Sequence, residues 1–275
     1  PSEHMPLANR VYERVRGWTA TTLRGIAGDP EMEIAPREGA VDGKAPVRQV
    51  DHHGRFTAAA GHRLYTARAF PEQYWNRTAF VCEPTGHVVA AFEISPSGAG
   101  FHSRMAYSQL ASDDEWTAPI IAEVGPDGSL WVVDWYNFIV QHNPTPEGFD
   151  NGKGNAYETP LRDKTHGRIW RMTHDGAAAG ERTTLADATA DELVAALADS
   201  TMLWRTLAQR AVIDRAAGRA DGGRDVAAAL IRLVQDRSVD GIGLNPAAIH
   251  AIWTLKSLGL LEGEHADADA VAAVV

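Results

Sequence analysis

Apolar and polar residues alternate along residues 57–173 in short runs that are separated by proline, glycine and acidic turn residues. The runs are rich in β-branched and aromatic side chains, which suit the half-buried surface of a pleated sheet. Their length and spacing are typical of strands in an antiparallel protein. We therefore predict seven strands in this part of the chain, at residues 57–67, 78–83, 88–94, 101–110, 119–124, 130–136 and 167–172.

Two of these runs have similar sequences, which indicates a repeated structural unit. Residues 80–83 (FVCE) match residues 131–134 (WVVD), at an offset of 51 positions (134 minus 83). An interval of about 40 to 50 residues with four short strands per unit is typical of β-propeller blades. The sequence thus predicts a β-propeller fragment of about two four-stranded antiparallel blades, although two similar units also arise by chance in other antiparallel proteins. A ring needs roughly four to eight blades, so the others are expected upstream or in other chains.

The first 50 residues carry the weakest pattern. Residues 11–23 fit either a strand or a helix, and the pattern does not decide between them. Residues 28–44 are rich in proline, glycine and acidic side chains, which predicts a surface loop.

The pattern changes at about residue 175, where a linker rich in alanine and glycine begins. Beyond it, apolar residues recur with the spacing of amphipathic helices, and residues 189–192 have the sequence of a capping box. Short amphipathic helices joined by brief loops predict an all-α HEAT-like helical repeat region at residues 183–275, after the blades at residues 1–182. A plain helical bundle fits the same pattern.

The composition allows a large hydrophobic core and argues against some classes of function. Of the 275 residues 44% are hydrophobic, and the net charge is -10. A surface this acidic does not attract nucleic acid, which needs a basic face. Cys82 is the single cysteine, so no disulfide forms within the chain, and no apolar run reaches the roughly 18 residues of a membrane span. No signal peptide is visible, and we expect the sequence to be an excerpt of a longer protein.

Several motifs resemble those of one family, the membrane-bound dehydrogenases whose propeller is similar to glucose/sorbosone dehydrogenases. The resemblance covers about residues 45–262. In the helical part, residues 243–253 (GLNPAAIHAIW) are similar to the HEAT repeats that follow the propeller in that family. In the strand-rich part, the motifs that carry the resemblance are residues 80–87 (FVCEPTGH), 133–137 (VDWYN), 162–163 (RD) and 166–170 (HGRIW).

The resemblance implies a bacterial oxidoreductase that acts on a sugar or another polyol and passes electrons to a c-type haem domain. That domain requires a Cys-x-x-Cys-His motif, which this sequence lacks, so the haem would belong to a module outside it. Better-studied relatives use pyrroloquinoline quinone with calcium, but no motif here matches their ligands, so the resemblance itself assigns no metal-binding residue. The resemblance also implies a periplasmic or other extracytoplasmic location. The excerpt by itself is expected to be inactive, because loops from every blade build a propeller pocket.

A polar segment of about 30 residues, 137–165, separates the last two predicted strands. A loop of this length is usually functional or disordered, and the aromatic residues of this region argue against disorder. In a four-stranded blade, the loop into the first strand and the loop between the second and third strands emerge on the same face. The segment is therefore expected to lie beside residues 51–55 and 112–116.

Sugar oxidation requires a base that accepts the hydroxyl proton while hydride leaves the carbon. On the predicted face, His142 and His166 are candidate bases or ligands, and Asp134 is the candidate for orienting the base or binding a metal. Each also has a structural interpretation: the histidines as loop anchors, and Asp134 as an acceptor for the N–H groups of a turn. The predicted substrate contacts are Arg162, Asp163, Trp116, His52 and Arg55, of which the first two could equally form a structural ion pair.

The alternative to an enzyme is a non-catalytic binding module for protein or carbohydrate. Helical solenoids present extended concave surfaces to partners, so the helical region could bind a protein in either case. Binding of a redox cofactor together with turnover would favour the enzyme, and capture of a partner without turnover would favour the module.

Overall fold

The computed structural model describes residues 18–24, 59–84, 87–111, 114, 116–137, 140, 150, 152, 158, 163–177, 184–217 and 223–275. The strands are β1 (Trp18–Arg24), β2 (His62–Leu64), β3 (Thr78–Glu83), β4 (Val88–Ser97), β5 (Gly100–Ala111), β6 (Pro119–Val124), β7 (Leu130–Asp134) and β8 (Arg168–His174). The α-helices are α1 (Ala190–Ala195), α2 (Met202–Ala216), α3 (Arg224–Gln235), α4 (Pro246–Ser257) and α5 (Ala268–Val274). Short 3-10 helices lie at Glu72–Tyr74 and Ala196–Ala198.

The strands form two four-stranded sheets, in the orders β2-β3-β4-β5 and β6-β7-β8-β1. The pairs within the first sheet and the pairs that β8 makes are antiparallel, so the prediction of antiparallel sheets followed by helices is confirmed. β3 and β6 have the predicted bounds, whereas only β2 is observed within the strand predicted at residues 57–67. The fourth strand of the second sheet is β1. It overlaps residues 11–23, for which the sequence pattern did not decide between strand and helix. That the sheets are propeller blades stays a prediction.

The two repeated motifs occupy equivalent places, because β3 and β7 are each the second strand of their sheet. The first strands of the two sheets also lie side by side. The Gly61 N–H donates to the Ile120 carbonyl oxygen at 2.7 Å, and a Cβ atom on Gly61 would lie 2.6 Å from that oxygen and 2.8 Å from the Ile121 Cα. Only glycine allows so close an approach of two backbones.

The helices belong to a second compact unit, with a core built around Leu193, Leu197, Leu230 and Leu255. The predicted capping box is confirmed at the start of α1, where the Thr189 hydroxyl accepts from the Glu192 N–H and the Glu192 carboxylate accepts from the Thr189 N–H. Neighbouring helices pack as α1 with α2 and α3 with α4. That these pairs are HEAT repeats stays a prediction. No helix in the described ranges is long and apolar enough to cross a bilayer.

The second unit also includes two segments from earlier in the chain, Thr66–Trp75 and Val124–Gly128. The Arg68 guanidinium donates to the Asp240 carboxylate at 2.7 and 3.0 Å, and the Trp204 indole donates to the Pro126 carbonyl oxygen at 2.8 Å. The predicted division at residue 182 stays a prediction, but this unit is not built from the C-terminal residues alone.

His250 on α4 makes the stability of the helical unit sensitive to acid. Burial lowers the pKa of His250 to about 4, and the nearby charge of Arg205 contributes to this decrease. Between pH 4 and 6.5 the unfolded chain therefore binds this proton more readily than the folded chain does. The free energy of unfolding is therefore highest above pH 6.5, and it falls by roughly 1–3 kcal/mol as the pH drops through this window.

Urea unfolding followed by helical circular dichroism at pH 7 and pH 4.5 measures this loss. The variant His250→Gln keeps a polar side chain beside Gln209, whose Oε1 lies 2.7 Å from the His250 Nδ1, and it should lose part of the acid sensitivity. The exposed His265 provides the matched control, because His265→Gln should behave like the wild type. An unchanged acid response in His250→Gln would contradict the assignment.

Candidate functional site

The Asp134 carboxylate at the end of β7 joins three parts of the second sheet. Its Oδ1 accepts from the Ala118 N–H at 2.7 Å and the Tyr136 N–H at 2.8 Å. Its Oδ2 accepts from Arg168 Nε at 3.0 Å and Trp170 Nε1 at 2.9 Å. The residue is 1% exposed. Four donors thus compensate one buried carboxylate, as a buried charge requires.

Arg168, the first residue of β8, carries the charge that balances Asp134. Its Nη1 donates to Asp114 Oδ2 at 2.7 Å, and its Nη2 donates to Thr117 Oγ1 at 2.9 Å. The guanidinium lies 4.2 Å from the centroid of the Tyr136 ring, within the range of a cation–π contact. Arg168 therefore ties the segment before β6 to the ends of β7 and β8.

Asp163 and His166 form a second polar pair, just before β8. The His166 Nδ1 contacts Asp163 Oδ2, and Asp163 Oδ1 accepts from the N–H of Thr165 at 2.7 Å and from its hydroxyl at 2.9 Å. Burial raises the pKa of Asp163, but the hydrogen bonds from Thr165 and the contact with His166 outweigh it and hold that pKa below its usual value. Asp163 is therefore an anion at neutral pH and can orient the imidazole.

The orientation of His166 leaves its second nitrogen for other partners. A carboxylate only accepts hydrogen bonds, so we assign the proton of the neutral imidazole to Nδ1 and the lone pair to Nε2. No hydrogen bond to Nε2 is formed within the described part of the chain. The His166 side chain is 28% exposed, whereas that of Asp163 is 8% exposed. An imidazole held in this way can accept a proton or bind a metal.

Tyr136 packs between the two polar groups. Its ring stacks on Trp116, with centroids 5.8 Å apart, and meets the edge of the His166 ring at 6.3 Å. Its φ of 56° is uncommon for a bulky side chain. The turn is held by the Tyr136 N–H bond to Asp134, so Asp134 influences where Tyr136 and His166 lie.

The structure therefore brings four of the predicted site residues into one region: Asp134, Asp163, His166 and Trp116. Trp116 is buried against Tyr136 and leaves 4% of its surface for any ligand. The roles assigned to these residues stay predictions. The remaining predicted residues, His142, Arg162, His52 and Arg55, lie outside the described residues.

Sequence reasoning missed three residues that organise this region: Arg168, Tyr136 and Asn137. In the sequence, Arg168 is recognisable only as a basic residue in an alternating strand, because the β7–β8 register that pairs it with Asp134 comes from the structure. Asn137 is fully buried, and its Nδ2 donates to the Asp163 carbonyl oxygen at 2.8 Å. No sequence pattern distinguishes such an asparagine from an exposed one at the start of a loop.

Two features of the described residues bear on the binding of calcium and of a quinone. No group of three His, Cys, Asp or Glu side chains among them is arranged to hold a metal ion. Pyrroloquinoline quinone is a tricarboxylate, which suits arginine, but Arg168 directs its donors at Asp114, Asp134 and Thr117.

Comparisons with known proteins give one structure and one family. A crystal structure from Thermus thermophilus, described as a "putative oxidoreductase (glucose dehydrogenase)", resembles this chain with a TM-score of 0.22 and 16% sequence identity. The match covers 38% of this chain and 23% of that one. No curated protein matches. The family model described as "Domain of unknown function (DUF7133)" matches residues 1–176, and the chain therefore belongs to the DUF7133 family.

Proposed function

We propose that this chain is part of an oxidoreductase that acts on a sugar or another polyol, with His166 as its general base. One observation carries the proposal: Asp163 holds the Nδ1 side of His166, while Nε2 lies on a partly exposed ring with no hydrogen bond from a described residue. A carboxylate-oriented imidazole is a common arrangement for removing a hydroxyl proton.

The reaction is the oxidation of an alcohol to a carbonyl. The hydroxyl proton passes to Nε2 of His166, and a quinone-class cofactor held by the full-length protein would supply the two-electron acceptor for the hydride of the adjacent carbon. Asp163 stabilises the imidazolium that forms, because its anionic carboxylate remains in contact with Nδ1. Asp134 acts as a positioning residue, because four protein donors already occupy its oxygens.

The setting that we propose for this site is a β-propeller followed by HEAT repeats. Two features support the propeller: the repeated motifs lie on equivalent strands, and the first strands of the two sheets are adjacent through Gly61 and Ile120. Electrons would pass from the acceptor to a haem module elsewhere in an extracytoplasmic protein, as the family resemblance implies.

A non-catalytic binding module is the second candidate. The observation that favours it is a set of exposed apolar side chains on two helices that pack against each other, α2 and α4. Trp253 and Ile249 lie one turn apart on α4 and are 56% and 44% exposed. Isolated exposed apolar residues are common, but a Trp and an Ile on one helical face suit a protein partner.

Dye reduction by the full-length natural protein separates the two candidates. The protein is incubated with pyrroloquinoline quinone, calcium, a panel of sugars and polyols, and a redox dye. We expect reduction of the dye that depends on both the sugar and the quinone. A protein that binds a polyol without reducing the dye would overturn the enzymatic proposal and leave the binding module.

A further inference from the structure

The helices α2 and α4 repeat one pattern of exposed residues. On each helix, two apolar residues and one basic residue follow at intervals of four and three positions, and the two sets are 46 positions apart (249 minus 203). Residues at these intervals share one face of a helix. The residues are Leu203, Leu207 and Arg210 on α2, and Ile249, Trp253 and Lys256 on α4. We call these six residues the α2/α4 surface.

The α2/α4 surface faces away from the core of the helical unit. On the opposite side, α2 buries Ala208 and Val212, and α4 buries Ala251 and Leu255, in one common core. The four apolar side chains of the surface are between 38% and 56% exposed. Because the two helices also pack against each other, their exposed faces lie side by side.

Packing within the helical unit leaves this surface open. α2 contacts both α1 and α4, yet Leu203 and Leu207 remain exposed beside those contacts. The axes of packed helices usually lie about 8–10 Å apart, so the apolar residues form two neighbouring rows. Two such rows suit the apolar face of an amphipathic helix, which recurs as a partner of helical surfaces.

The charges of the surface indicate the chemistry of that partner. α4 contains no acidic residue, and the Lys256 Nζ lies 6.0 Å from the centroid of the Trp253 ring. Arg210 contacts Asp214 at 3.5 Å, but these side chains are 79% and 68% exposed, and an exposed ion pair is easily exchanged. A cation thus follows each apolar pair, in a chain whose net charge is -10. Carboxylates on the partner would complement both cations.

The same charges disfavour two other occupants. A second copy would bring the same cations against this surface, with Asp214 as the carboxylate of the row. An anionic membrane attracts each nearby cation by about 1 kcal/mol, which is little for two cations on a chain of this negative charge.

We propose that the α2/α4 surface binds an amphipathic helix of another protein, which covers the apolar residues and pairs its carboxylates with Arg210 and Lys256. The inference goes beyond the oxidoreductase proposal and does not depend on it, because no residue of this surface belongs to the candidate site.

The test measures the binding of two labelled peptides to the full-length protein by fluorescence anisotropy. Each has about 18 residues, enough to form a helix, with leucine along one face. One peptide has glutamate beside the leucines, and the other has lysine in place of every glutamate. The glutamate peptide should bind at least about 5-fold more tightly, as two exposed ion pairs would provide. Non-specific attraction to an acidic chain predicts the opposite preference.

Two variants with matched controls assign the binding to this surface. Trp253→Ala should weaken binding of the glutamate peptide about 10-fold or more, as expected for a central aromatic contact. Phe101→Ala removes a ring that is 77% exposed on β5 and should bind like the wild type. Lys256→Glu should remove the preference for the glutamate peptide, whereas Arg237→Glu, at an exposed position before α4, should keep it.

Four results would overturn the proposal. The wild type could prefer the lysine peptide or bind neither peptide, and Lys256→Glu could keep the wild-type preference. Binding to vesicles of phosphatidylserine and phosphatidylcholine that requires Trp253, without preference between the peptides, would assign the surface to a membrane. Self-association that Trp253→Ala abolishes would assign it to a second copy. Dye reduction plays no part in these outcomes, so a failure of the oxidoreductase proposal is distinguishable from a failure of this one.

Discussion

Replacing Asp134 with alanine should lower the free energy of unfolding by about 3–5 kcal/mol, as expected when one partner of a buried ion pair is removed. The change leaves four donors without their acceptor: the N–H groups of Ala118 and Tyr136, Arg168 Nε and Trp170 Nε1. It also leaves the Arg168 guanidinium with the Asp114 carboxylate as its remaining described ionic partner. Urea unfolding of the wild type and the variant at pH 7 measures the difference.

An exposed ion pair in the same unit provides the control for this prediction. Glu93 and Arg104 form a cross-strand pair between β4 and β5, with side chains 55% and 66% exposed. Glu93→Ala should cost about 1 kcal/mol or less, because water already solvates both charges. A loss at Asp134 no larger than the loss at Glu93 would contradict the buried network.

The strands that could be predicted well are those whose pattern is local. β3 and β6 begin and end where the alternation of their own residues begins and ends, because hydrogen-bonded turns lie next to them. β1 could not be identified in this way. Its pairing partner, β8, follows about 150 residues later, and a single stretch of sequence contains no information on such a distant register.

The sequence predicted that several candidate residues lie together, whereas their roles in a site stay predictions. Strand order alone placed residues 112–116 and the loop after β7 on one face, and Asp134, Trp116, Asp163 and His166 do share a region. The sequence was compatible with two roles for Asp134: orienting the base, or accepting hydrogen bonds from the N–H groups of a turn. The structure shows it accepting such groups from Ala118 and Tyr136, because the left-handed turn at Tyr136 aims that N–H at the carboxylate. Turn geometry of this kind depends on tertiary contacts and has no sequence pattern of its own.

Replacing His166 with alanine should reduce sugar-dependent dye turnover by roughly 10²- to 10⁴-fold, the usual contribution of a general base. The dissociation constant for the sugar should change much less, because the lost group acts on the proton that moves in the reaction. Asp163→Asn should cause a smaller decrease, since the imidazole remains but loses the anion that orients it and stabilises its charged form.

The exposed His102 on β5 is the matched control, and His102→Ala should retain wild-type turnover. Added imidazole gives a second measurement, because a free base that enters the space left by the side chain can restore part of the activity to His166→Ala. A purely structural histidine would not be replaced in this way. Full turnover in His166→Ala would place the base elsewhere in the protein. Lost turnover without any rescue, accompanied by a lower melting temperature, would instead assign His166 a role in holding the segment before β8.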